Sequence, residues 1–554
     1  MRGPPEGAER EESYVINVVL RVWRIGGLLL SLLASGVCAA GQNCEALAKT
    51  ELPNAKVSSA EVVPAGAFVP PKGATPWLVG DPSLYKQLPA FCRVLVEDKP
   101  SVDSDIKIEV WLPTSGWNGK LRGQGNGGFA GEIDYHAMGL AVIQGYATAG
   151  TDTGHAARGT SATWAIGHPE KIIDFGYRAI HEMTVVGKTT AKAFFGEAPK
   201  HAYFASCSNG GRQALMEAQR YPEDYDGILA GAPANYWTHL LTSALYDAQT
   251  TTNDPASYIP SGKVPAIANA VLAACDAKDS VKDGIVSDPR KCGFDPATLA
   301  CKERDADSCL TAPQVTALKK LYQGAHDSKG KPIFPGFVVG GEEGPGGWSP
   351  WITGQEPGKA LLFVFAYGYF ADMVYGKADW DYKKANLDEA VAASDERFAN
   401  VLNAVQADMK AFKARGGKLI IYHGWSDGGI SPLNSINYYN SVVASMGKEN
   451  ADSFLRLYLV PGMQHCAGGP GPDEFGEFGI SQINDPLHNI YLAVEEWVEK
   501  GTPPPTIVAS KRDGTGPLGK VTMTRPLCAY PQVSKYKGSG DTKDAANFVC
   551  AGDR

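Results

Sequence analysis

The chain has 554 residues, of which 44% are hydrophobic and 20% charged, with 63 glycines and 37 prolines. That length exceeds one simple core, so a large domain with an insertion or a second domain is expected, and the composition excludes a disordered chain. A net charge of −8 with no Lys/Arg tract leaves no electrostatic footprint for nucleic acid.

The first element is an apolar run, Ile25 to Val37, behind Arg21 and Arg24. It is about half the ~20 residues that cross a bilayer, and the small residues of "VCAAG" offer cleavage near Ala39 or Ala40. Residues 1–40 therefore read as a secretory signal, despite the acidic start "MRGPPEGAEREE". The mature protein is expected to be secreted or periplasmic, with no membrane attachment after cleavage. Of eleven cysteines, cleavage removes Cys38 and leaves ten: Cys44, Cys92, Cys207, Cys275, Cys292, Cys301, Cys309, Cys466, Cys528 and Cys550. An even number in an exported chain predicts disulfides. Clustering suggests the local pairs Cys275–Cys292, Cys301–Cys309 and Cys528–Cys550. No C-x-x-C spacing occurs, which disfavours zinc.

Next comes "RGQGNGGFAG" (Arg122–Gly131), a glycine-rich loop after an expected strand, followed by a helix over Asp174–Phe195. "KHAYFASCSNGGRQALMEAQRYP" then reads as strand, tight turn and helix ending before Pro222. Between about 236 and 405 the texture changes. This segment is too long for a connection in a compact domain and reads as an inserted lid. It holds "CDAKDSVKDGIVSDPRKC", where Asp276, Asp279 and Asp283 fall within eight residues. Close carboxylates repel unless neutralised, and such oxygen clusters suit calcium, although the spacing is not that of an EF-hand. The lid also carries Trp348, Trp351, Phe365, Tyr367, Tyr369 and Phe370; core packing is expected for most, stacking on an aromatic acyl group for the rest.

The chain then resumes strands. Leu419–Tyr422 ends in a loop carrying Asp427, and Leu455–Val460 ends in a loop carrying His465. A helix over Pro486–Lys500 follows, with Asp485 as its cap and Pro486 at its first position. Strands alternating with helices indicate a parallel sheet. The expected fold is an α/β-hydrolase: core residues 41–235, lid 236–405, core 406–554.

A serine hydroxyl is a poor nucleophile until a base takes its proton, and the base needs an orienting carboxylate. Ser208, Asp427 and His465 occur in the α/β-hydrolase order, each at the end of an expected strand. The general elbow pattern wants glycine two before the nucleophile; here Ser206 stands there, with Gly210 two after. The Asn209 amide and a glycine-loop amide, Gly127 or Gly128, are the expected oxyanion donors. His423 and His155 are read as packing and structural hydrogen bonding. Cys207 precedes the serine and Cys466 follows the histidine. If the two catalytic candidates meet, a Cys207–Cys466 bridge is within disulfide reach.

"CSNGGR", the "SD" loop, the "HC" pair, "GYATAGTDTGH", "YPEDYDGILAGAPA" and "WVEKGTPPP" resemble the tannase and feruloyl esterase family over nearly the whole mature chain. The resemblance implies a disulfide between the neighbours of the catalytic serine and histidine, with Ser208 as nucleophile, His465 as base then acid, and Asp427 orienting it. It also implies a structural calcium in the lid, held by the Asp276, Asp279 and Asp283 side chains and the Val281 and Ile285 carbonyls. The implied substrates are small aromatic or plant cell-wall esters, feruloyl and other hydroxycinnamoyl first. Galloyl esters of tannins, or a terephthalate monoester, are the alternatives; the last needs a cationic clamp, for which the lid offers no convincing arginine. Rival readings are a non-catalytic, calcium-stabilised carbohydrate-binding protein, and a serine peptidase or acyltransferase on the same fold.

Overall fold

Nine strands form one sheet: β1 (Ala55–Val63), β2 (Phe91–Asp98), β3 (Ile106–Pro113), β4 (Lys120–Gln124), β5 (Ala147–Thr151), β6 (His201–Cys207), β7 (Gly227–Gly231), β8 (Lys418–Gly424) and β9 (Leu455–Val460). Their order across the sheet is β1-β2-β3-β5-β4-β6-β7-β8-β9. The first three strands and β5 pair antiparallel, whereas β5-β4-β6-β7-β8-β9 is parallel. This is the α/β-hydrolase arrangement expected from the sequence. The computed structural model describes residues 43–552 except Ser280, 480–482 and 515–518, and the backbone but not the side chain of Asp279. The signal segment 1–40 and Cys38 lie outside the described residues. From Gly41 onward the chain forms one compact unit.

The parallel strands are buried on both faces, which is why they read as apolar runs rather than alternating patterns. In β8, Leu419 and Ile421 enter one core cluster while Ile420 and Tyr422 enter another. α1 (Ala179–Phe195) and α2 (Asn209–Arg220) pack on the first face. α6 (Ile490–Lys500) covers the second.

Two expected helix starts move. The first helical run begins at Pro169 and passes through a π-turn at Asp174–Arg178 into α1, because Pro169 fits a first turn. α6 starts at Ile490, not Pro486. Asn489 caps it, accepting from the Tyr491 and Leu492 amides, while Asp485 closes its own turn by accepting from the Leu487 and His488 amides.

Between β7 and β8 the chain leaves the sheet. There α3 (Trp237–Thr252), α4 (Leu361–Gly368) and α5 (Leu387–Leu402) build a separate core cluster that includes Phe129 and Phe175 from the sheet domain. Of the lid aromatics, Trp348, Tyr369 and Phe370 are buried there. The Tyr367 hydroxyl donates to the Ala378 carbonyl.

The cysteine pairs staple this frame. Cys275 bridges Cys292 and Cys301 bridges Cys309 in the lid, as local spacing predicts. Cys528 bridges Cys550, joining the C-terminal strands Val521–Cys528 and Phe548–Gly552, which lie in two different two-stranded sheets. Cys44 bridges Cys92 and ties the first described turn to β2.

Candidate active site

β6 ends at Cys207, and Ser208 turns the chain into α2 with φ 66° and ψ −124°. A non-glycine residue at such φ is strained and persists only where its surroundings hold it. Here they do: the Ser208 amide donates to Gly231 O at 3.0 Å, and its carbonyl accepts from Arg212 and Ala234 amides, both at 3.1 Å. Gly210 is obligatory, since a Cβ there would lie 1.9 Å from Ser206 Oγ.

Arg212 is fully buried and locks the helix start, with Nε on Asn209 Oδ1 at 2.8 Å and Nη1 and Nη2 on the Gly176 and Phe175 carbonyls at 2.8 and 3.0 Å. Gln213 holds the glycine loop by accepting from the Asn126 amide at 2.9 Å and donating to Asn126 Oδ1 at 3.1 Å. Sequence reading missed Arg212, Gln213 and Asn126 as positioning residues. The signal that finds the first two is an arginine and a glutamine on the buried side of a helix directly after the turn.

The carboxylate comes from the loop after β8. Asp427 is 3% exposed. Its Oδ1 accepts from the Gly429 and Ile430 amides at 2.7 and 2.9 Å, and its Oδ2 lies 2.7 Å from His465 Nδ1. Burial opposes the charge, but His465 and His423 beside it outweigh burial and hold the carboxyl below its ordinary range. His423 thus does more than pack: its Nε2 is 3.2 Å from Asp427 Oδ2, with Nδ1 on Ser435 Oγ at 2.8 Å. An imidazole that donates Nδ1–H to Asp427 leaves Nε2 free to accept a proton.

His465 sits after β9, and its ring meets Trp351 edge to face at 4.8 Å between centroids. Gln464 ties this loop to the lid, donating to Glu343 O at 2.7 Å and accepting from the Gly346 amide at 3.0 Å. Cys207 and Cys466 are bridged, with Cα atoms 6.0 Å apart across 259 residues. Among the described residues, Ser208 Oγ makes no hydrogen bond to the imidazole; such contacts tighten when substrate arrives.

Ser208, Asn209, Gly127, Gly128 and His465 all line one cavity of about 580 Å³. Gly128 has φ 54°, and a Cβ there would meet Gly159 O at 2.3 Å. The lid wall is apolar, built from Leu240 and Leu241 of α3, Leu362 and Phe365 of α4, and Trp351. His155 is outside this wall, its Nε2 2.8 Å from Phe129 O and its ring stacked on Trp164. The cavity's guanidinium comes from the core rather than the lid: Arg158, exposed, in the loop after β5.

The expected calcium loop is a turn closed by the Cys275–Cys292 bridge. The buried Asp276 carboxylate accepts from the Asp283 and Gly284 amides, while Asp283 pairs with Arg525. Val281 and Ile285 are buried in the same turn, and the Asp279 side chain lies outside the described residues. The expected donors are all oxygens, as calcium requires, but Arg525 already supplies one positive partner.

Residues 92–551 match the family model of tannase and feruloyl esterase. The chain is 41% identical to an esterase of Xanthomonas campestris pv. campestris, covering 97% of this chain and 95% of that one. It is 34% identical to a probable feruloyl esterase B of Aspergillus clavatus, covering 94% and 99%. The crystal structure of feruloyl esterase B from Aspergillus oryzae superposes with a TM-score of 0.84 at 30% identity, covering 92% of this chain and 99% of that one. A tannin acyl hydrolase from Aspergillus niger shares the fold, with a TM-score of 0.71 at 22% identity over 93% of each chain.

Proposed function

The chain belongs to the tannase and feruloyl esterase family and is a carboxylic ester hydrolase; from that premise we propose an exported serine esterase that acts on feruloyl or other hydroxycinnamoyl esters. The observation that carries the mechanism is the pairing of His465 Nδ1 with Asp427 at 2.7 Å beside a bridge joining the neighbours of Ser208 and His465. In this reading Ser208 Oγ attacks the ester carbonyl while its proton passes to His465 Nε2. The negative charge on the carbonyl oxygen is met by the Asn209 amide and by the amide of Gly127 or Gly128. Collapse expels the alcohol, which takes the proton back from His465. Water, deprotonated by the same nitrogen, then releases the acid and restores the serine. Asp427 fixes the tautomer throughout. Membership of an esterase family sets aside a non-catalytic binding protein.

The apolar lid wall supports an aromatic acyl group, and Arg158 at the cavity gives the terephthalate monoester alternative a cation it otherwise lacks. A structural calcium would be held by Asp276, Asp279 and Asp283 with the Val281 and Ile285 carbonyls, bracing the turn of the lid. Export is supported by the five disulfides among the described residues, since such bonds persist in oxidising compartments. Among the described residues no helix is long and apolar enough to cross a membrane.

The test is kcat/KM on methyl ferulate, methyl gallate and a terephthalate monoester, for the wild type and Ser208→Ala. Methyl ferulate is expected to lead. Ser208→Ala is expected to lose about 10⁴-fold or more in kcat. A folded Ser208→Ala protein that keeps its turnover ends the mechanism, and a leading terephthalate monoester ends the substrate assignment.

A further inference from the structure

The cavity wall contributed by the sheet domain differs in kind from the lid wall. Asp134, Tyr422, Glu477 and Tyr491 line it, and Tyr422, Glu477 and Tyr491 are only 1%, 8% and 7% exposed. They are one cluster: Tyr422 feels Glu477 and Tyr491, and Tyr491 feels Asp134 and Glu477. Among the described residues the Tyr422 and Tyr491 hydroxyls hydrogen-bond to no protein group. Glu477 accepts from the Phe475 amide at 2.8 Å, and Asp134 accepts from the Ala137 amide at 2.9 Å, with the Glu477 and His136 amides also acting on these two carboxyls. Buried polar groups are almost always paired, so a cluster that faces a cavity with bonding capacity to spare points to a polar occupant.

The charge of that occupant follows from the surroundings. An anion would face two carboxyl groups and two phenols. The positive charge here is already supplied by Arg122, fully buried, whose guanidinium lies 4.3 Å from the Tyr491 ring centroid and acts on Asp134. Burial pushes the Asp134 carboxyl up to about 7 and the Glu477 carboxyl up to about 8. The protonated form of each is therefore within reach near neutral pH, and a protonated carboxyl both donates and accepts. That matches a hydroxyl group, which also does both.

Resting on the ester hydrolysis proposed above, we propose that Asp134, Tyr422, Glu477 and Tyr491 form a recognition subsite for a neutral part of the substrate bearing two or more hydroxyls. Two parts of an ester could supply this chemistry: ring hydroxyls of the acyl group, or the hydroxyls of a sugar on the alcohol side. A site built to bond a hydroxyl discriminates strongly against the analogue that lacks it, because its own polar groups are then left unpaired.

The experiment uses two substrate series. One holds the alcohol as methyl and varies the ring from methyl cinnamate to methyl caffeate. The other holds the acyl group as feruloyl and varies the alcohol from methyl to arabinosyl. Wild type is compared with Tyr422→Phe, Tyr491→Phe and Glu477→Gln, all close in shape to the native residues, with melting temperature as the check on folding. In one series, the ratio of kcat/KM for the hydroxylated over the bare member is expected to fall at least tenfold in Tyr491→Phe and Glu477→Gln, carried by KM. The series that responds identifies the source. The proposal is overturned if wild type shows no preference for hydroxyls in either series, if the ratios stay within twofold in all three variants, or, where the alcohol series is the one that responds, if a choline ester outperforms the sugar ester. An active Ser208→Ala protein would instead break the underlying mechanism, so the two failures are separable.

Discussion

At position 206 a serine stands where an elbow usually has glycine, and the structure locates the compensation at Gly210, whose absent Cβ leaves room for Ser206 Oγ. Gly210→Ala is expected to lower both melting temperature and kcat, and Ser206→Gly in the same chain to restore much of each. A double-mutant cycle measures this, and additive losses would refute the contact. The charge on Asp427 bears on stability in acid. A carboxyl held below its ordinary value adds stability that is present above its unfolded pKa, about 3.9, and lost only as pH falls through the lower folded value. Asp427 thus stays charged in weak acid. Any fall of kcat/KM from pH 7 toward 5 is then expected to occur in folded protein, with the melting temperature little changed. A rate loss that tracks unfolding instead would place the cause elsewhere.

Two loops carry the base and its carboxylate, and a third carries the serine, so the register of three strand ends decides whether they meet. The Cys207–Cys466 bridge joins two of these ends directly. Replacing both cysteines with alanine is expected to cost about 2–5 kcal/mol of stability, read from denaturant unfolding, and to lower kcat in the protein that remains folded. Unchanged kcat would show that the strands alone hold the loops. The turn from Cys275 to Cys292 is the other element under test. Chelation is expected to lower the melting temperature more than turnover at moderate temperature, and Asp276→Ala to abolish that response. A melting curve indifferent to chelator would leave the neutralisation of Asp283 to Arg525 rather than to a metal.

Over the whole molecule, burial holds several carboxyls far above their ordinary values: Asp98, Asp134 and Asp152 at about 7, and Glu477 at about 8. Between the unfolded and folded values the folded protein binds more protons, so this contribution to stability declines as pH rises from about 4 to about 8. Glu477→Gln removes one such group. Its melting temperature is expected to rise above wild type at pH 8.5 by more than at pH 5, and a constant difference would show that the carboxyl is not held up.

The parallel sheet, the order of Ser208, Asp427 and His465, and the local bridges Cys275–Cys292, Cys301–Cys309 and Cys528–Cys550 were legible before any fold was known, because strand-end residues and cysteine spacing are written along the chain. Helix starts slipped where capping competed: Asp485 and Asn489 both suit a cap, and only packing chose Asn489. His423 against Asp427, Gln213 against Asn126 and Gln464 against the lid were decided by tertiary structure. So was the polar wall of Tyr422, Glu477 and Tyr491, whose members come from a strand end, a loop and a helix. Hydrophobic period and turn chemistry act between near neighbours. Which buried polar groups share a wall depends on how distant elements stack, and only the closed fold fixes that.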